Sequence, residues 1–505
     1  MPAVPATDPD ELPEGSQLAA LDIGSNSFHL IVARYEHGEL RPTQVLGEKV
    51  QLGAGLKNGR LEADAIQRGL DCLSRFSQML QSVEPRRLRV VGTNALRQAK
   101  NRREFTEPAR AILGAPVEVI YGREEARLVY LGVAHTLADD TAARLVVDIG
   151  GGSTEFIVGE RFEPRRLESL QMGCVSYTAR HFADGRLDRR EYEKAYERAC
   201  VEVSHIRKAF RSKHWQECVG SSGTLQAIEA MVTGEGWSEG GITRKSLARL
   251  RKQVLTHKRV DELSFSGLSE ARRPVITAGI AITEAIFEVL EIDHMRTSKG
   301  ALREGVLYDL LGRLRHEDVR ERSINAMQQR YSADAETAAL VARRARMLFE
   351  ASREAWRLGA EDGELVERAA LTHEIGMAIS HKHFHRHGAY LLRNSDMPGF
   401  SQGEQEHLAL LVAGHRGKLK RELLDELDGD EGERLARMIG ILRLAALFKY
   451  VELLEDLPDF HLGAQREALA LEFPAGWLEQ HPLTWQELQQ EQRAFERLGL
   501  ALSFS

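Results

Sequence analysis

Two short stretches carry the residues best suited to chemistry. "LAALDIGSNSFHLIVARY", starting at Leu18, and "RLVVDIGGGSTEFIVGER", starting at Arg144, share one plan: an apolar strand, Asp-Ile-Gly, a turn of tiny residues, and a second apolar strand. The first turn is Gly24-Ser25-Asn26-Ser27 and the second is Gly150-Gly151-Gly152-Ser153-Thr154. Such residues let backbone N–H groups approach a ligand closely and converge on an anion. Asp22 and Asp148, 126 positions apart, end the first strand of each copy. An aspartate there can hold a divalent cation, directly or through water. For Asp22, capping the turn is an equal alternative. A single hairpin of this kind would be a closed turn and nothing more; two copies suggest two jaws on one phosphate.

The chain has 505 residues, too many for one core, so several domains must position these turns. Hydrophobic residues make up 43% and charged residues 28%, with a formal charge of −7. That balance excludes a global basic field for nucleic acid, and a polyanion would have to meet a local basic patch. Cys72, Cys174, Cys200 and Cys218 form no CxxC pair. This argues against a disulfide framework or zinc ribbon and for a reducing cytoplasm. Residues 1–17 are acidic and Pro-rich, the composition of a disordered tail and not of a signal peptide. The most apolar stretch, "VITAGIAITEAIFEVL", is interrupted by Glu284 and is too short to span a bilayer.

Strands alternating with amphipathic helices fill residues 18–137, and the cycle restarts at 138–314. This predicts two duplicated α/β lobes with largely parallel sheets and a ligand crevice at the strand ends. "VEVIY" is a strand running directly into the helix "REEARLVYLGVAHTL". From 315 to 456 the apolar period is helical throughout, as in "ETAALVARRARMLFEASREAW" and "LVERAALTHEIGMAI". Residues 457–505 return to short apolar runs, predicting a small separate α/β piece.

Further anion sites follow each lobe's later strands. Thr93 and Asn94 lie just past "RLRVV", with Arg97 a turn further on, able to fork onto phosphate oxygens. Gly220, Ser221, Ser222 and Gly223 end a strand and open a helix, another backbone anion site.

The paired hairpins resemble those of the actin, sugar-kinase and chaperone ATPase superfamily. "DIGSNSFHL", "VGTNALRQA", "GREEARLVYLGV", "DIGGGSTEF", "MGCVSYT", "GSSGT" and "KGALREGVLYD" together resemble the exopolyphosphatase and guanosine pentaphosphatase family, from about Leu18 to Leu314. "HRHGAYLLRNSDMPGF" extends the likeness into the helical part. The resemblance implies two actin-like (ribonuclease H-like) lobes and Glu125 as the catalytic carboxylate, in a first helical turn that favours negative charge. It also implies that Asp148 and Glu155 join Glu125 in gathering Mg2+ at the terminal phosphate, with K+ as a further candidate cofactor. Glu124 is left as surface charge. The expected reaction is hydrolysis of the terminal phosphoanhydride of inorganic polyphosphate by a homodimer, in the cytoplasm or peripheral to the inner membrane. Guanosine pentaphosphate is the rival substrate; a nucleotide-dependent kinase or assembly protein is a rival of another class.

Seven of the 18 histidines lie between His373 and His415. The segment resembles an HD-type metal phosphohydrolase domain, but the His-Asp pair is here His373-Glu374, which argues against a second active site. His381, His383, His385 and His387 are spaced by two and share no helix face, so a preformed zinc site is not expected. Half the weight goes to histidines that are simply satisfied or solvated. The other half goes to a basic polyphosphate track of His381, Lys382, His383, Arg386, Arg393, Arg416 and Lys418, continued by Lys420 and Arg421.

Overall fold

The computed structural model describes residues 12–137, 142–314, 318–419, 423, 429–454 and 458–505, with the side chains of 450–454 excepted. Two compact units divide the chain, one ending at Val319 and the other beginning at Arg320. Lys420 and Arg421 lie outside the described residues.

The first unit holds two sheets of matching plan. In the N-terminal lobe the strand order is Glu39–Lys49, Ser27–Glu36, Gln17–Ile23, Leu88–Gly92, Val117–Val119. In the second it is Glu163–Leu170, Thr154–Glu160, Ala143–Ile149, Glu217–Gly220, His294–Thr297, Ile242–Thr243. Each opens with an antiparallel meander and continues with parallel strands. The opening strand sits mid-sheet and is covered on both faces, so Leu18, Ala19, Ala20 and Leu21 are all fully buried. The hairpins agree residue for residue: Asp22 pairs with His29 and Asp148 with Glu155.

The lobes meet through one apolar core, in which Leu18, Ala20 and Ile31 join Val146, Ile157 and Val219 around two helices, Gly122–Ala134 and Leu302–Leu314. These helices touch backbone to backbone. A Cβ on Gly305 would strike the Leu128 carbonyl, and one on Gly132 would strike that of Ala301.

A buried ion network fixes the same crossing. Arg127 holds Glu124 with two hydrogen bonds of 2.8 and 2.9 Å and also reaches Asp309. Asp309 accepts from Arg89 at 2.5 Å and from Arg313 at 3.1 Å. Burial alone would raise the Asp309 carboxyl, but the three arginines hold it well below the usual carboxylate range. Glu124, expected on the surface, is therefore buried, because the helix that carries it is covered all round by both lobes.

In the second unit, helices Ala335–Trp356, Ala360–Thr372, Gln402–Gly414 and Gly429–Leu454 pack around Val341, Phe349, Leu411 and Leu442. The terminal strands His461–Gln465, Ala468–Glu472 and Ala501–Phe504 form a three-stranded sheet whose Leu469, Leu471 and Leu502 belong to that same core. The stretch expected to stand apart thus shares the helices' interior. "LVERAALTHEIGMAI" is not one helix: the α-helix stops at Thr372, and a short 3-10 turn follows at Ile375–Ala378. There Gly376 lets the backbone of Phe384 and Gly388 approach where a Cβ would stand. Among the described residues no helix is long and apolar enough to cross a membrane.

Substituting Gly305→Ala must push the two helices apart, and overpacking of this kind costs about 1–3 kcal/mol. Calorimetry should show a lowered unfolding transition, whereas Gly240→Ala, with no atom within 4 Å of the added methyl, should leave it in place.

Candidate active site

Both hairpin turns open onto one cleft between the lobes, a cavity of about 230 Å³. Gly24, Ser25, Asn26 and Ser27 line one side, and Gly150, Gly151, Gly152 and Ser153 the other. Each turn commits its carbonyls to its own lobe. Ser25 and Asn26 accept from Gly53, Val50 and Gln51, and Gly150 and Gly151 accept from Cys174, Val175 and Ser176. Among the described residues the amides of Ser25, Asn26, Gly151 and Gly152 find no protein acceptor. Backbone donors left unpaired at a cavity wall make an anion cradle. Glycine is required at 152 by close approach: its missing Cβ would occupy the Asn94 side-chain oxygen.

Thr93, Asn94, Ser221, Ser222 and Gly223 also line the cleft. Ser222 caps the helix Gly223–Gly234 by accepting from the Leu225 amide at 3.2 Å. Thr154 and Gly220 are not in the lining: the Thr154 hydroxyl donates to the Met172 carbonyl at 2.6 Å, and Gly220, the last residue of its strand, is buried between Val147 and Thr297.

Glu125 lies in the first turn of helix Gly122–Ala134 and faces the cleft. Arg97 donates to its Oε2 at 2.9 Å and to the Ile120 carbonyl at 2.8 Å. Arg97, expected to fork onto phosphate, is instead withdrawn from the lining and holds the glutamate. Glu155 stands behind the turn, accepting from the Ser169 hydroxyl at 2.9 Å.

The four carboxylates repel one another. Burial and the charge of Glu125 push Asp148 up to about 7, against the pull of the Ser221 hydroxyl and Arg272. Burial, then Glu125 and Asp148, drive Asp22 and Glu155 well above the usual carboxylate range. One Asp22 carboxylate oxygen is buried without a hydrogen-bond partner. A hard cation would relieve both conditions. Among the described residues no three His, Cys, Asp or Glu side chains are grouped closely enough to ligate an ion unaided. Buried carboxylate oxygens of this kind suit a hard cation such as Mg2+ that keeps water and takes substrate oxygens.

Sequence reasoning missed the basic wall. Arg272, Lys299 and Arg303 line the cleft, with His29 beside Arg303 and Gln226 beyond. The signal was available for Arg303: it opens the helix Leu302–Leu314, the end at which a helix dipole disfavours a cation.

The second unit keeps its histidines to itself. His373, His385 and His415 are buried, the His373 and His415 ring centroids 5.4 Å apart. Each of these two rings bonds a backbone carbonyl through Nδ1, of Ala370 at 2.6 Å and of Val412 at 2.7 Å. Around them lies a cavity of about 200 Å³. Two ion pairs line it, Lys449 with Glu374 at 2.5 Å and Arg443 with Glu491 at 2.6 Å, beside Arg416 and Glu487. Of the expected track, His381, Lys382, His383, Arg386, Arg416 and Lys418 are exposed, while Arg393 is engaged by Glu406.

Fold and cleft together define a two-lobed phosphate-handling protein of the actin-like ATPase superfamily. Residues 31–314 match the Ppx/GppA phosphatase family and residues 319–492 match its domain III. A guanosine-5'-triphosphate,3'-diphosphate pyrophosphatase of Vibrio parahaemolyticus is 40% identical over 96% of this chain and 98% of its own. The enzyme of that name from Aeromonas hydrophila is 39% identical over 95% and 97%. Among solved structures, a Ppx/GppA family member of Aquifex aeolicus aligns with a TM-score of 0.50 at 30% identity. An exopolyphosphatase of Cytophaga hutchinsonii aligns at 0.54 and 25%. Each of these structures covers 59% of this chain and 98% of its own. The chain belongs to the Ppx/GppA phosphatase family.

Two pH effects follow. Because the folded Asp148 titrates near 7 and the unfolded one near 3.8, the fold loses stability as pH rises through that window. Metal-free Asp148→Asn should melt above the parent at pH 8, with the difference vanishing toward pH 4. His373 and His385 are pushed down to about 4 by burial, from an ordinary 6.5, with Lys449 and Arg416 adding to the effect at His373 and Arg386 and Arg416 at His385. Their contribution is complete above 6.5 and lost as pH falls toward 4. Thermal scans at pH 7.5, 6 and 5 should show the parent weakening across this range, and less so in His385→Gln.

Proposed function

We propose that this chain hydrolyses the terminal 5' phosphoanhydride of guanosine 5'-triphosphate 3'-diphosphate, releasing orthophosphate. The observation that carries the reaction is Glu125, held by Arg97 at a cleft that two facing anion turns also line. The turn amides of Ser25, Asn26, Gly151 and Gly152 grip the terminal phosphoryl oxygens, and Arg272, Lys299 and Arg303 offset the charge of the remaining chain. Glu125 takes a proton from water as its oxygen bonds to the terminal phosphorus; the bridging bond breaks, and its electron pair leaves on the penultimate phosphate. Mg2+, when bound, would neutralise charge developing on the transferred group. Asp148, with Glu125 and Glu155, would hold it jointly with water and substrate oxygens.

The nucleotide is favoured by relatives about 40% identical over nearly their whole length and named for that substrate. This reverses the order expected from the sequence, which put polyphosphate first. Polyphosphate is kept as the second reading because the cleft residues identified here address phosphates alone, and because one structural relative is an exopolyphosphatase.

Orthophosphate release from the two substrates side by side should show kcat/KM at least roughly tenfold higher for the nucleotide; the reverse ranking would restore polyphosphate. Glu125→Gln should lower kcat by about 10²–10⁴ while still binding substrate. Asp148→Asn should need more Mg2+ for half-maximal rate, and an unchanged Mg2+ titration would move the ion elsewhere.

A further inference from the structure

The duplicated hairpins agree in register, yet they differ at one equivalent pair beside the cleft, of which only the first lobe's member lines it, and the difference is coordinated. Position 155 in the second lobe is the counterpart of position 29 in the first, since Asp148 pairs with Glu155 as Asp22 pairs with His29. The next strand over supplies Ser169 opposite Glu155 and Gly47 opposite His29. In the second lobe the serine hydroxyl donates to the glutamate at 2.9 Å. In the first lobe any side chain at 47 would collide with the imidazole, because a Cβ there falls 2.9 Å from His29 Nδ1. Where the second lobe pairs glutamate with serine, the first pairs histidine with glycine.

The histidine meets a cation. Arg303 Nη1 stands 3.5 Å from His29 Nδ1, at the outer limit of a hydrogen bond, and both side chains line the cleft. A guanidinium only donates, so Nδ1 accepts and the ring proton sits on Nε2. Arg303 Nε is committed to Glu304 at 2.7 Å, which leaves the Nη face to be aimed by His29. Asp22 also attracts Arg303. A glutamate at position 29 would have captured the guanidinium as an ion pair, just as Glu125 captures Arg97 at 2.9 Å.

We propose that His29 is a positioning residue for Arg303: a neutral acceptor that aims the guanidinium into the cleft, where its Nη donors, not held by the Glu304 ion pair, remain available to the substrate's inner phosphates. The duplication has thereby divided the labour. The second lobe keeps its carboxylates for the cation and water, while the first turns the equivalent position into an anchor for anions. This rests on the hydrolase reading above.

The test compares His29→Ala, His29→Asn and His29→Glu with Arg303→Ala in the full-length protein, each first checked by thermal melting. Asparagine can place its side-chain oxygen where Nδ1 stands. Loss of a hydrogen bond to a charged group predicts that His29→Ala raises KM roughly tenfold while kcat moves little. His29→Asn should recover most of that loss, and His29→Glu should be worse than alanine. Adding His29→Ala to Arg303→Ala should change nothing further, because the residue being aimed is already gone. A tenfold drop in kcat at constant KM, additive effects in the double variant, or no recovery by asparagine would each overturn the proposal.

Calorimetric binding of tripolyphosphate with Mg2+ separates this from the hydrolase reading, because it needs no turnover. Weakened binding in His29→Ala, recovered in His29→Asn, supports the positioning role even if the parent protein hydrolyses neither substrate. Equal binding in all variants sinks it even if hydrolysis is confirmed.

Discussion

Bringing Asp22, Glu125, Asp148 and Glu155 into one buried neighbourhood is the constraint on which the first unit is organised. Like charges out of water repel strongly, and no single element would hold them. The molecule distributes the burden: two carboxylates at strand ends, one on a helix and one behind a turn, from lobes joined by a common core. Arg97 and Ser169 each satisfy one acidic group from behind. The rest of the repulsion is left standing, as stored electrostatic free energy that a cation with its phosphate ligands would release.

The backbone follows the same logic in the opposite sign. A turn rich in glycine and serine is a short segment with more donors and acceptors than its neighbours can use. By giving the carbonyls of residues 25, 26, 150 and 151 to nearby amides, each lobe leaves the amides of its turn as donors at the cleft. The site thus sets buried carboxylates against main-chain donors and the basic side chains of Arg272, Lys299 and Arg303. Orientation of a phosphate between these two fields follows from geometry.

Much of this was legible in the sequence because it is local. A strand ending in Asp-Ile-Gly followed by tiny residues announces its turn within nine positions, and repetition at a fixed offset announces the second lobe. Glu125 was singled out by its motif, and the structure sets it in the first turn of the helix Gly122–Ala134 and in the cleft lining. What escaped was non-local. The burial of Glu124 depends on Asp309, 185 residues away, and on a helix crossing that glycine spacing alone does not reveal. The basic wall comes from the approach to one helix and the start of another, far apart in the chain. In the histidine-rich stretch the spacing of two said only that the four residues share no helix face; it could not say that the α-helix begins at Phe384. His373, His385 and His415 turn inward from three different segments.

The backbone contact between helices Gly122–Ala134 and Leu302–Leu314 has a mechanical meaning. Side chains between packed helices act as compliant cushions, since a rotamer change can absorb a small shift. At Gly132 and Gly305 there is no cushion, only main chain against main chain, locked beside Arg127 and Asp309. Such a crossing resists sliding, because no side chain there can give way, and the buried ion network holds it from turning. The spacing of the two hairpin turns is thereby tied to the spacing of two main chains, a distance that rotamer changes in the core cannot alter.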